Sequence, residues 1–506
     1  MYSNRIKHPG LRDKIMTAQQ AAMLFKNNMV VGCSGFTKAG DSKAVLLAIA
    51  ERAVKQPLKI TLITGASLGH ETDGVLTNAH VLQRRMPFQT DPVLRKSINN
   101  GEVMFIDQHL SETIEQIKIF PSMDIAVLEA ALIEEDGAIV PTTSVGNSAA
   151  FAQQAKQLII EINLAVPMEI KGIHDIYATG DYPDRKLIPI TNAASRIGGA
   201  TIGIDPAKIA GIVITDIPDS PADTAAADPH TTAIAAHLSD FFHHEIKKGR
   251  LTKSLLPLQA GIGKIANGVL HGFLDSDFEN LTMYSEVLQD STFDLIDAGK
   301  LLFASGSSIT VSAPYYHKIF DNIEKYRNRI VLRSQNITNA AEVIRRLGVI
   351  AINTAMECDI YGNVNSTHTG GTHMMNGIGG SGDFARNAYM SIFVSPSTTK
   401  LDTISRIVPM IPHVDHTEHD VDIIVTENGL ADLRGLAPRE RAIVIINNCP
   451  HKDYKDALQD YFSRALQGGG QTPHILQEAF SWYRQLQQTG SMKMEKHPVC
   501  TEYNQV

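Results

Sequence analysis

Cysteine is scarce: Cys33, Cys358, Cys449 and Cys500 are the only four in 506 residues, and they are widely scattered. A disulfide framework is therefore excluded, and reduced thiols in a cytoplasm are expected. No apolar run approaches the roughly 18 residues that a membrane span needs. The first residues mix Arg5, Lys7, Arg12, Asp13 and Lys14 without an apolar block, so neither a signal peptide nor an anchor is expected. Excess charge of one sign is small too, with 46 Lys and Arg against 54 Asp and Glu, net −8, which gives a nucleic-acid partner no support. What is present, 43% hydrophobic and 20% charged residues, fills sizeable cores and excludes disordered and fibrous classes. At about 150 residues per domain the length corresponds to roughly three domains.

The first half alternates short β-branched runs with amphipathic helices. Met29–Gly32, Ile60–Thr64, Val103–Ile106, Ile125–Leu128, Leu158–Ile162 and Ile209–Ile214 read as strands buried on both faces of a parallel sheet. A helix over Ser42–Lys55 places Val45, Ile49 and Ala53 on one side. From Thr215 to His230, Pro218, Pro221 and Pro229 mingle with Asp216, Asp219, Asp223 and Asp228, which reads as a linker. A helix over Thr231–Lys248 follows, with Ile234, Leu238, Phe241, Phe242 and Ile246 as its apolar positions and Gly249 as its stop. The domain boundary is drawn there, giving residues 1–222 and 223–506. The second half repeats the style with strands Leu281–Tyr284, Leu301–Ala304, Ile330–Leu332, Val349–Ile352 and Val421–Val425. Asn339 with Glu342 reads as a capping box for a helix that Gly348 ends. The fold class is α/β, in two halves of similar style without a direct repeat.

Seven glycines lie between Gly362 and Gly382, ending in the run Asn376 to Asp383. Glycine lets backbone N–H groups approach an anion or a developing oxyanion, although packing alone can also force such a loop. The spacing matches neither the phosphate loop nor the dinucleotide fingerprint. A second glycine segment runs from Gln259 to Gly268 and, alone, reads as a turn before a helix. Some twenty residues on, strand Leu281–Tyr284 delivers Glu286 to the sheet edge where ligands bind in open α/β folds. There a carboxylate serves as a nucleophile, a general base or the buried partner of an arginine. Glu427 has the same strand-end placement, with a turn at Asn428-Gly429 and a pairing to Arg434 or another cation as its plainer explanation. His413, His416 and His419 could form a metal site, but the flanking Pro409 and Pro412 favour an irregular loop and no zinc-ligand signature is present. Cys33 could serve as a nucleophile but reads more plainly as a small buried thiol at a strand end, and His243 and His244 read as surface residues.

With Gln259–Gly268, Tyr284-Ser285-Glu286 and Asn376–Asp383 in place, the whole chain resembles the acetyl-CoA hydrolase/transferase family, in particular its succinyl-CoA:acetate and propionyl-CoA:succinate CoA-transferases. Val31–Thr37, Leu62–Ser67, Ser144–Ser148, Asp359–Thr367 and the Glu427 segment carry the same likeness. The resemblance implies two CoA-transferase-type α/β domains with largely parallel sheets, a homodimer, and neither a metal nor a permanently bound cofactor. Coenzyme A thioesters and short-chain carboxylates would be the substrates. It places the nucleophile on Glu286, oxyanion donors on the backbone of Ile262 and Gly380, and coenzyme A contacts on Gly261, Ile262, Gly263, Lys264, Ile265, Asn376, Gly380 and Lys400. Glu427 would support the acid-binding site. One departure is that some relatives carry an arginine soon after the strand equivalent to Ile209–Ile214, whereas no arginine occurs here between Arg196 and Arg250. The resemblance thus implies a CoA-transferase, with an acyl-CoA hydrolase using the same glutamate as the alternative. A metal-dependent hydrolase on the three histidines and a non-catalytic CoA-binding protein are more distant readings.

Overall fold

Burial of β-branched residues on both faces builds the first sheet. The computed structural model describes residues 4–119, 122–222 and 228–493, so Cys500, Asp223 and the centre of the expected linker lie outside the described residues. Strands β1 (Met29–Cys33), β2 (Ile60–Ile63), β3 (Leu82–Met86), β4 (Met104–Phe105), β5 (Ile125–Ala130) and β6 (Gln157–Asn163) are followed by the short β7 (His174–Asp175) and by β8 (Ile209–Thr215). They assemble in the order β8-β6-β5-β1-β2-β3-β4, parallel throughout, with β7 left out. Ile125, Val127 and Ile159 face a core that includes Val45, Ile49 and Ala53 of the helix Val45–Lys55. Their neighbours Ala126, Leu128, Leu158 and Ile160 face a second core on the other side. Burial on both faces is why these runs are apolar without alternation. Strand β3 escapes that signature because Arg84 and Arg85 interrupt it; Arg85 is buried there, its Nε 2.8 Å from Asp73 Oδ1.

The second sheet comprises β9 (Leu258–Ala260), β10 (Leu281–Tyr284), β11 (Leu301–Gly306), β12 (Ile330–Arg333), β13 (Ile350–Thr354), β14 (Met390–Val394), β15 (Ile423–Thr426) and β16 (Gly429–Asp432). Its order is β16-β15-β14-β13-β9-β10-β11-β12-β7, and only the β15–β16 hairpin is antiparallel. The outer strand β7 comes from the first half of the sequence and pairs Leu332 with His174 and Arg333 with Asp175. A buried Arg333–Asp175 ion pair fastens it. The halves also meet where Val145 N donates to Ser307 O and Ile309 N to Thr143 O, both at 2.9 Å. Among the described residues no helix is long and apolar enough to cross a membrane.

Three helix starts differ from expectation. The helix placed at Ser42–Lys55 begins at Val45. The helix placed at Thr231–Lys248 runs over Pro229–Lys247, because Asp228 Oδ1 caps Thr231 N at 2.9 Å and Pro229 supplies a first-turn residue that needs no N–H partner. The helix before Gly348 runs over Ala341–Leu347 with Ala340, not Asn339, at its cap, and Glu342 instead pairs with Arg346 at 3.0 Å. Asn339 is occupied elsewhere.

Candidate active site

Strands β13, β9, β10 and β11 are neighbours, so the loops at their carboxyl ends gather at one edge. Glu286 follows β10 there. Its carbonyl accepts from Ser307 N at 2.6 Å and Ser308 N at 3.1 Å, which fixes the backbone. Its side chain is buried, with 6% of the residue exposed, and no arginine or lysine pairs with it among the described residues. Asn339 Nδ2 donates to Glu286 Oε1 at 2.8 Å and to Asp383 Oδ2 at 3.0 Å, so one amide bridges two buried carboxylates. Asp383 is held in turn by Ser111 N at 3.1 Å and Ser111 Oγ at 2.6 Å, from the first half of the chain. Burial pushes the Glu286 carboxyl up to about 7; the Asn339 bond opposes that and the nearby Asp383 adds to it. Burial likewise raises Asp383.

The second glycine run closes directly on this carboxylate. A Cβ on Gly380 would stand 1.9 Å from Glu286 Oε1 and 2.4 Å from Asn339 Nδ2, so glycine is required at that point. The Gly261–Gly263 loop continues from β9. Gln289 grips it from both sides, with Nε2 donating to Gly261 O at 3.1 Å and Oε1 accepting from Gly263 N at 3.4 Å. Gly263 needs its φ of +119° to turn into the helix Lys264–Gly272. Ile262, at the loop's apex, is 47% exposed.

Ile262, Gly263, Lys264 and Asn376 line a cavity of about 290 Å³ together with Thr37, Lys38, Ser67 and Thr90 of the first half. Asn376 Oδ1 is buried with no hydrogen-bond partner among the described residues. Glu286 does not line the cavity, but Asn376 belongs to the same glycine run as Gly380, which meets the carboxylate. Of the other expected coenzyme A contacts, Ile265 packs against the core. Lys400 is exposed at a hairpin tip where Lys400, Leu401 and Asp402 all have positive φ.

Glu427 belongs to a separate group. Its Oε2 accepts from Ser397 N at 2.8 Å, its Oε1 from Ser397 Oγ, and His230 Nδ1 lies 3.6 Å away. A turn does sit at Glu427-Asn428, without a positive φ at Asn428 or Gly429, and since Arg434 is committed to Asp432 and Glu245, His230 rather than Arg434 is the neighbouring group able to pair with Glu427. The three histidines are engaged apart from one another. His416 is buried, its Nε2 3.2 Å from both Ser366 Oγ and Ser381 Oγ, and burial pushes it down to about 4. His413 stacks on His368 with centroids 3.7 Å apart, and His419 lies in the turn Glu418–Asp420. Among the described residues no group of three or more His, Cys, Asp or Glu is disposed to hold a metal ion. Cys33 is fully buried, which raises its thiol well above the ordinary range.

Two family models match the chain: the acetyl-CoA hydrolase/transferase N-terminal domain over residues 4–213 and the corresponding C-terminal domain over residues 316–462. The chain belongs to the acetyl-CoA hydrolase/transferase family. Over 494 residues it is 48% identical to succinyl-CoA:acetate CoA-transferase of Clostridium kluyveri, covering 97% of this chain and 92% of the relative. It is 44% identical over 485 residues to propanoyl-CoA:succinate CoA transferase of Escherichia coli, covering 94% and 98%. It is also 42% identical over 520 residues to an acetyl-CoA hydrolase of Neurospora crassa, covering 97% and 98%. The solved structure of 4-hydroxybutyrate CoA-transferase from Porphyromonas gingivalis superposes with a TM-score of 0.62 over 90% of this chain and 98% of that one; at 22% identity it speaks to the fold alone. The protein is thus an enzyme of a family whose members include both transferases and hydrolases.

Asn339, Asp383, Ser111 and Gln289 are the site residues that sequence reading did not single out as such. Asp383 closes the glycine run and Gln289 follows Glu286 by three residues, so proximity was a usable signal for those two. Ser111 carries none.

Proposed function

We propose that this enzyme moves CoA between short-chain carboxylic acids of the succinate, acetate and propionate class through a thioester on Glu286. The observation that carries the reading is a buried carboxylate with no cation among the described residues, aimed by Asn339 and pressed against Gly380. Taking an unpaired carboxylate out of water is costly, and a fold retains one where its reactivity is used. The ionised Glu286 oxygen attacks the acyl-CoA carbonyl carbon, and CoA leaves as a thiolate, giving a mixed anhydride. The thiolate then attacks the glutamyl carbonyl and expels the first acid as its carboxylate. A second carboxylate enters and the same steps run in reverse, so the thioester is conserved. Each tetrahedral intermediate carries an oxyanion; backbone N–H groups of Ile262 and Gly380 are its proposed donors, each worth about 2.7–4 kcal/mol. Gly261, Gly263, Lys264, Ile265, Asn376 and Lys400 are the proposed coenzyme A contacts, and the unpartnered Asn376 Oδ1 in the cavity supports that role for Asn376. Glu427 would support acid binding from its own cluster. A homodimer working in a cytoplasm, without a permanent cofactor, completes the reading; light scattering at twice the chain mass tests the first part.

Incubation with acyl-CoA followed by peptide mass spectrometry should find CoA on Glu286, and E286A should lose both adduct and transfer while remaining folded. Wild-type turnover by E286A would refute the nucleophile. The acetyl-CoA hydrolase relative favours a second reading, hydrolysis through the same glutamate. Release of CoA from acetyl-CoA at an undiminished rate without added carboxylate would select it.

A further inference from the structure

Lys38 is a cation that the chemistry above leaves unused. It lines the cavity beside the nucleophile's loops, and with Thr90 it also lines an adjoining cavity of about 520 Å³. It forms no ion pair with any described residue. The carboxylates on the same walls are otherwise engaged: Asp290 Oδ1 accepts from Ser312 N at 2.9 Å, and Asp91 Oδ1 from Val93 N at 2.8 Å and Leu94 N at 2.9 Å. Glu71, on the wall of the adjoining cavity, makes no ion pair with Lys38.

The ammonium is placed by a built-up loop. Thr37 and Lys38 both have left-handed backbones, with φ of +53° and +69°, a costly state for non-glycine residues that persists where surroundings enforce it. Lys38 N donates to Ser67 O at 2.9 Å, and Gly40 N to Asp219 Oδ1 at 3.0 Å. Asp219 and Asp41 are gripped in turn by the fully buried Lys43, whose Nζ lies 2.8 Å and 3.0 Å from their carboxylates. The loop is also tied to the nucleophile: Thr37 Oγ1 is 3.0 Å from Ser308 Oγ, and Ser308 N donates to the Glu286 carbonyl at 3.1 Å. Two hydrogen bonds therefore separate the Lys38 loop from the residue that would carry the acyl transfer. The phosphates of CoA lie a whole pantetheine arm away from its sulfur, so a cation on a loop this close to Glu286 stands nearer the acyl end of the substrate than the nucleotide, even though coenzyme A contacts line the same cavity.

We infer that Lys38 is a specificity-determining residue, whose ammonium takes the far carboxylate of a dicarboxylic acid or of its CoA half-ester and so favours diacids over monoacids. The inference rests on the proposed transfer reaction and adds to it the residue that selects the acid. A diacid supplies a charge-assisted partner to a cation that has none among the described residues, whereas a monoacid leaves that cation to water.

The test compares transfer from acetyl-CoA to succinate with exchange into labelled acetate, for wild type, K38M and K38R. In K38M the ratio of kcat/KM for succinate to that for acetate should fall about tenfold or more, through KM rather than kcat, and K38R should recover most of it. An equal effect on both acids, a change confined to the KM for acetyl-CoA, or no change would overturn the assignment. Calorimetry on E286A needs no turnover: succinate should bind more tightly than acetate, and adding K38M should abolish the difference. A wild type with no transfer activity would refute the reaction proposed above, while this binding comparison would still decide the role of Lys38.

Discussion

The ionisation of a single carboxylate governs the proposed chemistry. Glu286 attacks only as an anion, and burial has raised its carboxyl from the ordinary 4.5 to about 7. The kcat/KM for acyl-CoA should therefore climb through a midpoint near 7 as pH rises. A flat profile across neutrality would contradict the assignment. The same shift has a thermodynamic side. Because the folded state holds this proton more tightly than the unfolded one, Glu286 stabilises the fold least once the group is ionised. Stability falls as pH rises between 4.5 and about 7 and levels off above. E286Q should thus exceed wild type by on the order of 2–3 kcal/mol at alkaline pH, the gap closing as pH falls below the ordinary carboxylate range. Urea denaturation across that range measures it, and a pH-independent difference would sink the argument. Asn339 teaches the converse lesson about reading. Its position before a helix invites a cap, yet its amide is spent on Glu286 and Asp383, a choice that depends on carboxylates 44 and 53 residues away.

Among the elements, the glycine loops matter through what they leave out. With a Cβ only 1.9 Å from the carboxylate oxygen, G380A must displace either Glu286 or the loop. Overpacking of this kind typically costs about 1–3 kcal/mol. Adduct formation should fall far more than thermal stability does, because the reactive oxygen is what moves. An alanine variant that traps CoA at the wild-type rate would show that the close approach is incidental. Strand ends were the part of the site open to sequence reading: β10 ends at Tyr284, and a carboxylate two residues past it stands at the ligand-binding edge of a parallel sheet. Strand β3 was not legible, since two consecutive arginines mask its period, and it is the pairing of Arg85 with buried Asp73, with further bonds to Thr64 Oγ1 and the Met86 and Ala66 carbonyls, that makes the strand tolerable inside the sheet.

At the level of the whole molecule, the two halves share both a sheet and a site. Strand β7 crosses to the second sheet, and Asp175 holds it there by pairing with Arg333 and accepting from Ile197 N at 3.0 Å and Gly198 N at 2.6 Å. D175A leaves a buried guanidinium unpaired, a loss of about 3–5 kcal/mol. Its urea midpoint should drop accordingly, with both sheets unfolding in one transition; a wild-type midpoint would show that β7 contributes little. Ser111 on Asp383 and Thr37 on Ser308 carry the same sharing into the site.

By itself the sequence determined the α/β class, the succession of buried parallel strands, the glycine-rich loops and the strand-end position of Glu286. Each follows from local chemistry: apolar runs that must be buried, residues without a Cβ where backbone crowds, and a polar residue where a strand stops. Tertiary structure alone decided that Asn339 aims Glu286, that Ser111 steadies Asp383, that β7 joins the other half's sheet and that Lys38 lines the cavity without an ion-pair partner among the described residues. Those contacts join residues tens to hundreds of positions apart, and no local pattern specifies which distant partner a buried polar group will meet.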